Sequence, residues 1–198
     1  MTQKWLVKNS RLVYDRSPWL RLWEQDVQLP NGATIDGYIL AQALDVGMVF
    51  ALTEDEQVIL VEQYKHGIGE NEVDLPAGYL DEDDPSPLAG TQRELLEETG
   101  YAGGDWLSLG DFVANPNRSP DRFYYFLARN VRRVAEPHLD PTEEIVLHLV
   151  PLAELHGWLA GHNPSLATMA GVLLALSALC PRPTSLPPKR SGSAPARR

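Results

Sequence analysis

One stretch of this chain, Arg93-Glu94-Leu95-Leu96-Glu97-Glu98-Thr99-Gly100, determines both its local structure and its chemistry. Upstream of it, Ser86 and Pro87 are typical of a helix start, because serine caps free N–H groups and proline fits the first helical position. Gly100 is typical of a helix end. The spacing therefore predicts a helix that runs from Pro87 to Gly100.

Three glutamates of this helix share one face. Successive helical residues advance by about 100°, so Glu94, Glu97 and Glu98 project within an arc of roughly 100°. Carboxylates that lie side by side repel one another, but their oxygens are the ligands that Mg²⁺ prefers. The face is therefore a candidate metal site. The other side of the helix is expected to face the core through its leucines, Leu88, Leu95 and Leu96.

The helix lies in a longer acidic segment. Residues 70–98 contain ten carboxylates and a single base, Arg93. Such a concentration of negative charge requires a compensating cation, and Arg93 can orient a neighbouring carboxylate through a bidentate contact. An ordinary solvated acidic surface is the alternative interpretation.

Composition narrows the class of protein. The 198 residues carry 27 acidic and 17 basic side chains, which is enough chain for one domain or for one domain with a small appendage. A lone cysteine, Cys180, cannot form an intrachain disulfide. The longest apolar run, residues 169–180, is shorter than the ~20 residues of a membrane helix. We expect a cytoplasmic protein with neither a membrane nor a nucleic-acid partner, since the latter requires clustered basic residues.

Apolar alternation and turn signals indicate an α+β protein with three regions. Residues 1–42 are predicted to form a small antiparallel β-domain, residues 43–180 the main domain, and residues 181–198 a disordered, basic, proline-rich tail. Predicted strands cover residues 11–14, 19–23, 26–29, 33–40, 47–52, 57–64, 106–114, 123–128 and 145–150. Further predicted helices cover residues 152–159 and 165–179.

The acidic helix and the loop before it resemble a known motif. Gly78, Asp84 and the run R-E-L-L-E-E-T-G-Y at residues 93–101 resemble the Nudix box, G-x5-E-x7-R-E-U-x-E-E-x-G-U, where U is apolar. The second half matches at every defined position. In the first half, Asp84 replaces a glutamate, and eight residues rather than seven separate it from Arg93. The extra residue precedes the helix, so it leaves the mutual arrangement of the three glutamates unchanged. The chain is thus similar to the Nudix hydrolases.

Further stretches resemble the ADP-ribose pyrophosphatase and nucleotide-sugar pyrophosphatase branch. V-E-Q-Y-K at residues 61–65 is similar to V-x-Q-Y-R, and D-L-P-A-G at residues 74–78 is similar to E-L-P-A-G. Pro116, sixteen residues after Gly100, stands where that branch often has a proline. The resemblance implies the Nudix fold, a mixed β-sheet packed between helices as an α/β/α sandwich. It also implies a homodimer that exchanges the N-terminal β-domain.

The activity implied by this resemblance is hydrolysis of a pyrophosphate bond with the help of two or more Mg²⁺ or Mn²⁺ ions. The implied substrate is ADP-ribose or a related nucleoside diphosphate sugar, and the products are AMP or another nucleoside monophosphate and a sugar phosphate. GDP-mannose or another nucleotide sugar is the alternative substrate. An alternative of another class is a non-catalytic sensor that binds a nucleotide sugar.

The resemblance also implies roles for individual residues. The implied metal ligands are the carbonyl of Ala77 and the glutamates Glu94, Glu97 and Glu98. The implied catalytic residues are Arg93, Glu97, Glu98 and, as the general base in the loop before a late strand, Glu143 or Glu144. A Nudix-box glutamate as the base, and a plain acidic loop, are the alternatives. The implied substrate-binding residues are Lys65, Asp74, Pro116, Trp19 and Trp23. For the two tryptophans, a core or dimer-interface position is the alternative.

Overall fold

A three-stranded antiparallel sheet forms the N-terminal part of the molecule. The computed structural model describes residues 3–180, and the predicted tail at residues 181–198 lies outside them. The strands are β1 (Leu6–Arg16), β2 (Leu20–Gln28) and β3 (Thr34–Gln42), in the order β1-β2-β3. The small N-terminal antiparallel sheet expected from the sequence is confirmed.

An eight-stranded mixed sheet follows. Its strands are β4 (Val46–Thr53), β5 (Gln57–Lys65), β6 (Glu70–Asp74), β7 (Ala77–Tyr79), β8 (Tyr101–Ala102), β9 (Asp105–Val113), β10 (Arg122–Arg133) and β11 (Ile145–Pro151). The order is β11-β5-β4-β10-β8, with β6 paired to β5, β7 to β4 and β9 to β10. Strand β10 runs parallel to β4, whereas the other pairings are antiparallel.

Helices pack on both faces of this sheet. They are α1 (Pro87–Thr99), α2 (Leu155–Ala160) and α3 (Leu166–Leu179). Neighbouring strand residues point to opposite faces, so Ile59 packs in a core with Leu95 of α1, whereas Leu60 packs in a second core with Val172 of α3. The predicted mixed sheet between helices is confirmed. Within residues 3–180, no helix is long and apolar enough to cross a membrane.

The capping residues of α1 behave as their types predict. The Ser86 hydroxyl accepts a hydrogen bond from the Ala89 N–H at 3.2 Å, and Gly100 adopts the left-handed conformation with φ of 74°. The expectation that Leu96 faces the core is wrong, because its side chain is 37% exposed. The residues that α1 buries are Gly90, Thr91, Leu95, Glu98 and Thr99.

Three details of the predicted elements also need correction. The strands predicted at residues 19–23 and 26–29 form one strand, β2. Its pairing with β3 shifts register between Gln25 and Val27 but continues on both sides of the shift, so the strand is not interrupted. Strands β6 and β7 were not predicted, since they are short and β6 is rich in acidic residues. The helix predicted at 152–159 is shorter and covers Leu155–Ala160.

The N-terminal sheet is held against the main domain by the loop at residues 114–121. The N–H of Ala41 in β3 donates to the Arg118 carbonyl at 2.7 Å, and Arg118 Nη1 donates to the Ile39 carbonyl at 3.1 Å. The Arg118 guanidinium also lies 5.1 Å from the ring centre of Tyr38. Strand β3 is therefore hydrogen-bonded to this loop of the main domain.

Candidate active site

The acidic residues of α1 lie directly against the backbone of β7. A Cβ atom at Gly78 would overlap the carboxylate of Glu94, so any other residue there would displace that carboxylate from its position. The carboxylate of Glu98 accepts a hydrogen bond from the Ala77 N–H at 3.0 Å. Two carboxylates of the helix are thus packed against the residues at the start of the Nudix-box-like segment.

Burial raises the pKa of both carboxyl groups. Glu98 is only 7% exposed, and its burial, followed by the charge of Glu94, raises its pKa to about 8. Burial raises the pKa of Glu94 to about 6, although the nearby Arg93 lowers it. Such desolvated carboxyl groups favour a nearby cation, which stabilises the charged form.

The guanidinium of Arg93 supplies a positive charge beside the glutamates of α1. Its Nη1 donates to Glu94 Oε1 at 2.8 Å and to Glu97 Oε2 at 2.9 Å. Its Nη2 donates to the Tyr79 carbonyl at 3.3 Å. One guanidinium therefore holds two helical carboxylates and the backbone of β7 in a common arrangement.

Asp84 holds the other side of Arg93. Its two carboxylate oxygens lie 3.4 Å from Nε and 3.2 Å from Nη2 of Arg93. This contact with Arg93 lowers the pKa of Asp84. The Asp81 N–H donates to the same carboxylate at 2.8 Å. Gly90 leaves space for it, since a Cβ there would lie 2.5 Å from Asp84 Oδ2. The aspartate that departs from the Nudix-box pattern thus contacts the arginine of that pattern.

The loop before β11 brings Glu143, rather than Glu144, to the cluster. The negative charge of Glu143 contributes to the raised pKa of both Glu94 and Glu98. Its carboxylate accepts a hydrogen bond from the Asp140 N–H at 3.1 Å, and its side chain is half-buried, whereas Glu144 is exposed. The chain leading to this loop is tied to α1 by a 2.8 Å bond from the His138 N–H to the Glu97 carbonyl.

Lys65 and Asp74 form an ion pair near the acidic cluster. Lys65 Nζ lies 3.4 Å from Asp74 Oδ2, and the lysine charge offsets a small part of the rise that burial causes in the pKa of Glu98. The other oxygen of Asp74 accepts hydrogen bonds from the hydroxyls of Ser165 and Thr168 at the start of α3. Asp74 is therefore occupied in joining Lys65 to α3, and this arrangement favours a positioning role for Asp74 over direct contact with substrate.

The other predicted substrate-binding residues lie apart from one another. The Trp19 ring packs on Tyr79, with ring centres 5.8 Å apart, and the tryptophan is 61% exposed. Trp23 instead lines a cavity of about 360 Å³ that also contacts Pro120. Pro116 is exposed in the loop that holds β3. Of the two tryptophans, Trp19 is the one in contact with β7, whose backbone borders the acidic cluster.

The donor atoms fit a hard divalent cation by their chemistry. Two carboxyl groups with raised pKa values, those of the buried Glu98 and the partly buried Glu94, lie beside the half-exposed Glu97 and the backbone of Ala77. Across residues 3–180, however, no three acidic, histidine or cysteine side chains already form a metal-binding group. The carboxylates of Glu94 and Glu97 instead contact the guanidinium of Arg93, at 2.8 and 2.9 Å.

Comparison with known proteins agrees with this geometry. Residues 41–169 match the family model described as NUDIX domain, and this span contains β4 to α1, the Glu143 loop and the start of α3. The chain belongs to the NUDIX family. Its resemblance to the ADP-ribose pyrophosphatase branch of the Nudix hydrolases is confirmed by relatives of that branch, and the chain is an enzyme of the hydrolase class.

Two of these relatives are bacterial ADP-ribose pyrophosphatases. The protein from Mycobacterium tuberculosis (strain ATCC 25618 / H37Rv) is 29% identical over 154 residues, which cover 77% of this chain and 74% of the relative. The protein from Bacillus subtilis (strain 168) is 30% identical over 134 residues, which cover 67% and 71%. A methanol dehydrogenase activator from Bacillus methanolicus is 30% identical over 114 residues, and the match spans 58% of this chain and 60% of the activator.

A solved structure of an ADP compounds hydrolase supports the fold. It superimposes with a TM-score of 0.77 and covers 90% of this chain and 96% of its own. At 20% identity this likeness concerns the fold alone. The Nudix fold expected from the sequence is confirmed.

Some residues of the site could not be found by sequence reasoning. Tyr79 contributes its carbonyl to Arg93 and its ring to Trp19, and nothing in its sequence context distinguishes it from an ordinary strand residue. Ser165 could be found only as the N-cap of α3, because its further bond to Asp74 joins residues 91 positions apart. Long-range contacts of this kind leave no local pattern.

Proposed function

We propose that this Nudix hydrolase catalyses the Mg²⁺-dependent hydrolysis of the pyrophosphate bond of ADP-ribose or a related nucleoside diphosphate sugar. The products are AMP, or another nucleoside monophosphate, and a sugar phosphate. The observation that carries the proposal is the pair of carboxyl groups formed by the buried Glu98 and the partly buried Glu94, held against the backbone at Ala77 and Gly78. The two relatives named ADP-ribose pyrophosphatase support the choice of substrate.

Four groups would hold two or more ions. They are the carbonyl of Ala77 and the carboxylates of Glu94, Glu97 and Glu98. Mg²⁺ or Mn²⁺ bound there would offset the negative charge of the diphosphate and make a nearby water more acidic. Arg93 would keep Glu94 and Glu97 directed along one side of the helix, since it contacts both.

Side chains around the cluster would bind the diphosphate and move the proton. Lys65 supplies a positive charge near Glu98, and its ion pair with Asp74 restricts where that charge can lie. Glu143 is the proposed general base. It would accept a proton from the attacking water, because it is the loop carboxylate whose charge acts on the helical glutamates.

The nucleoside side of the substrate is proposed to lie towards the N-terminal sheet. Trp19 has an exposed indole in contact with Tyr79, which follows Gly78 directly. An exposed aromatic ring offers a flat apolar surface on which a nucleobase can stack. Pro116 lies in the loop that joins this sheet to the main domain. Trp23, in a cavity between the sheet and Pro120, suits a packing role better.

The homodimer through the N-terminal β-domain, residues 1–42, is also part of the proposal. Support comes from β1, all of whose eleven residues are exposed in the single chain. The division into residues 1–42, 43–180 and 181–198 and the cytoplasmic location remain predictions.

Hydrolysis of a substrate panel tests the proposal. Purified protein is incubated with ADP-ribose, GDP-mannose and a nucleoside triphosphate, with Mg²⁺ or Mn²⁺ or with a chelator, and the products are identified by chromatography. We expect AMP and ribose phosphate from ADP-ribose, and no turnover with chelator. Preferential cleavage of GDP-mannose would establish the alternative substrate. Binding of ADP-ribose without any product, under all metal conditions, would establish the sensor instead.

A further inference from the structure

The first turn of α3 contacts two acidic side chains of β6, Glu72 and Asp74. The hydroxyl of Thr168 donates to Asp74 Oδ1, and the hydroxyl of Ser165 lies 3.2 Å from the same oxygen. The N–H and the hydroxyl of Ser165 also bond to Glu72. Thr168 is fully buried although its side chain is polar. Burial of a hydroxyl costs free energy unless it is hydrogen-bonded, and here its acceptor is a carboxylate.

Asp74 uses its two carboxylate oxygens for different partners. Oδ1 faces the hydroxyls of α3, whereas Oδ2 lies 3.4 Å from the ammonium of Lys65. A charge-assisted hydrogen bond between an ammonium and a carboxylate is normally shorter, at about 2.7–2.9 Å. The carboxylate thus divides its contacts between α3 and Lys65 and does not form a close pair with the lysine.

This division leaves part of the Lys65 ammonium available. Within residues 3–180 the ammonium has two acceptors, Gln63 Oε1 at 2.8 Å and Asp74 Oδ2 at 3.4 Å. An ammonium carries three N–H donors, so one remains for a ligand. The two acceptors also restrict the direction of a side chain whose four-carbon stem is flexible. Lys65 is therefore held in place without being neutralised by a close partner.

The first turn of α3 is itself held against the sheet. The hydroxyl of Tyr125 in β10 donates to the Ala167 carbonyl at 3.1 Å. One turn further along, a Cβ at Gly171 would lie 2.7 Å from Leu75, the residue that follows Asp74. Such close packing fixes the distance between α3 and the end of β6. The hydroxyls of the first turn therefore meet Asp74 from a rigid support.

We propose that Thr168 and Ser165 are positioning residues for the reaction and act through Asp74. By holding one oxygen of Asp74, they direct the Lys65 ammonium towards the diphosphate of the substrate. Without these donors, Asp74 would move towards Lys65 and compete with a phosphate oxygen for its remaining N–H. The inference rests on the part of the proposed function in which Lys65 binds the diphosphate.

A purely structural role is the alternative, because Thr168 is buried and Ser165 is the N-cap of α3. The two roles predict different results. If the hydroxyl of Thr168 only stabilises the fold, its removal lowers the melting temperature and leaves KM unchanged in the protein that remains folded. If it positions Lys65, its removal raises KM independently of stability.

Two substitutions of Thr168 separate these roles. Thr168→Val keeps the branched shape and removes the hydroxyl, whereas Thr168→Ser keeps the hydroxyl and removes a methyl group. Val172→Ala, a large-to-small change at a buried position of the same helix, is the control for stability. The values of kcat and KM for ADP-ribose with Mg²⁺ are measured for each protein below its melting temperature, which differential scanning fluorimetry supplies.

We expect Thr168→Val to raise KM about 5- to 10-fold and to change kcat less than about twofold, since it weakens a charge-assisted contact with the substrate. Thr168→Ser should keep the original KM. Val172→Ala should also keep it, although its melting temperature falls. An unchanged KM in Thr168→Val, or an equal rise of KM in Val172→Ala, would overturn the proposal.

A double-mutant cycle tests whether the effect passes through Lys65. Lys65→Met keeps most of the stem, removes the charge and should itself raise KM. In the Lys65→Met background, Thr168→Val should cause no further rise, because the group that it positions is absent. Two rises that multiply would show that Thr168 acts by another route, which contradicts the proposal.

Failure of the proposed function gives a different result. If the unsubstituted chain hydrolyses ADP-ribose and Thr168→Val has the same KM, only the positioning role is refuted. If the unsubstituted chain binds ADP-ribose without hydrolysing it, hydrolysis is refuted, and the same comparison is made on Kd by calorimetry with the same expected ratios. A chain that neither binds nor hydrolyses any nucleotide of the panel would overturn both proposals.

Discussion

Helices α1 and α3 cover opposite faces of one sheet. A helix in this position normally buries apolar residues and exposes polar ones, and each of the two departs from that pattern differently. Helix α1 buries a carboxyl group, that of Glu98, and exposes Leu96. Helix α3 has no charged residue and exposes Leu166 and Leu173. Both arrangements are unfavourable in an isolated chain. The difference lies in what would stabilise each helix. A cation stabilises the charged form of a buried carboxyl group, whereas contact with an apolar protein surface removes an exposed apolar stripe from water.

The largest effect is expected at the buried acid of α1. Glu98→Gln removes a negative charge from the proposed metal site, so kcat should fall on the order of 10²–10³-fold, as for loss of one electrostatic contact at a reaction centre. Steady-state kinetics with ADP-ribose and Mg²⁺ measure it, and circular dichroism checks the fold. Near-normal turnover of Glu98→Gln would remove this residue from the metal site and weaken the contrast with α3.

The loop acids give the next effect. Glu143→Gln should lower kcat about 10²-fold, because it removes the proposed general base, whereas the exposed Glu144→Gln should retain normal activity. The two variants form a matched pair, since each removes one charge from the same loop. If Glu144→Gln were the impaired variant, or if both were fully active, the assignment of the base would be wrong.

Metal binding should couple to pH through Glu98. The pKa of Glu98 is about 8 in the folded chain, above its ordinary value of 4.5. Between pH 4.5 and pH 8 the folded chain therefore holds a proton on Glu98 that the unfolded chain releases. The stability that this protonated group contributes is lost as the pH rises through that range. Mg²⁺ bound at the proposed site would offset this loss by stabilising the carboxylate of Glu98. At a hundredfold excess over Kd, Mg²⁺ should add about 2.7 kcal/mol and raise Tm by roughly 5–10 °C.

Differential scanning fluorimetry measures this coupling. Without metal, Tm should fall between about pH 5 and pH 8, and the increase in Tm caused by Mg²⁺ should be larger at the higher pH, where fewer protons compete. In Glu98→Gln both effects should shrink. An Mg²⁺-induced shift that is equal at both pH values and in the variant would show that the ion binds elsewhere.

The smallest effect is expected where Asp84 meets α1. Gly90→Ala places a Cβ 2.5 Å from Asp84 Oδ2 and 2.7 Å from Leu80, so the free energy of unfolding should fall by about 1–3 kcal/mol.

Asp84→Asn should weaken the contact that holds the Arg93 guanidinium in place, and should lower kcat modestly, by less than Glu143→Gln. Urea unfolding and kinetics check these values. Asp83→Asn, at an exposed position of the same loop, is the control; equal effects of both substitutions would remove the special role of Asp84.

Much of α1 could be predicted from sequence because its determinants are local. The N-cap at Ser86, the proline after it and the glycine at residue 100 lie within a few residues of the helix that they delimit. The acidic pattern within the helix pointed to the NUDIX family in the same way. The side of α1 that faces the sheet was less predictable, since Glu98 was expected on the polar side and Leu96 in the core.

Patterns of neighbouring residues are enough to predict the α+β class, the ends of α1, the family and the set of candidate ligands. Three other properties become visible in the folded chain: Asp84 contacts Arg93, Glu143 rather than Glu144 acts on the glutamates, and the side of α3 next to β9 is open. These properties depend on segments distant in sequence. Their packing distances, and the desolvation that shifts each pKa, arise only when the chain is folded.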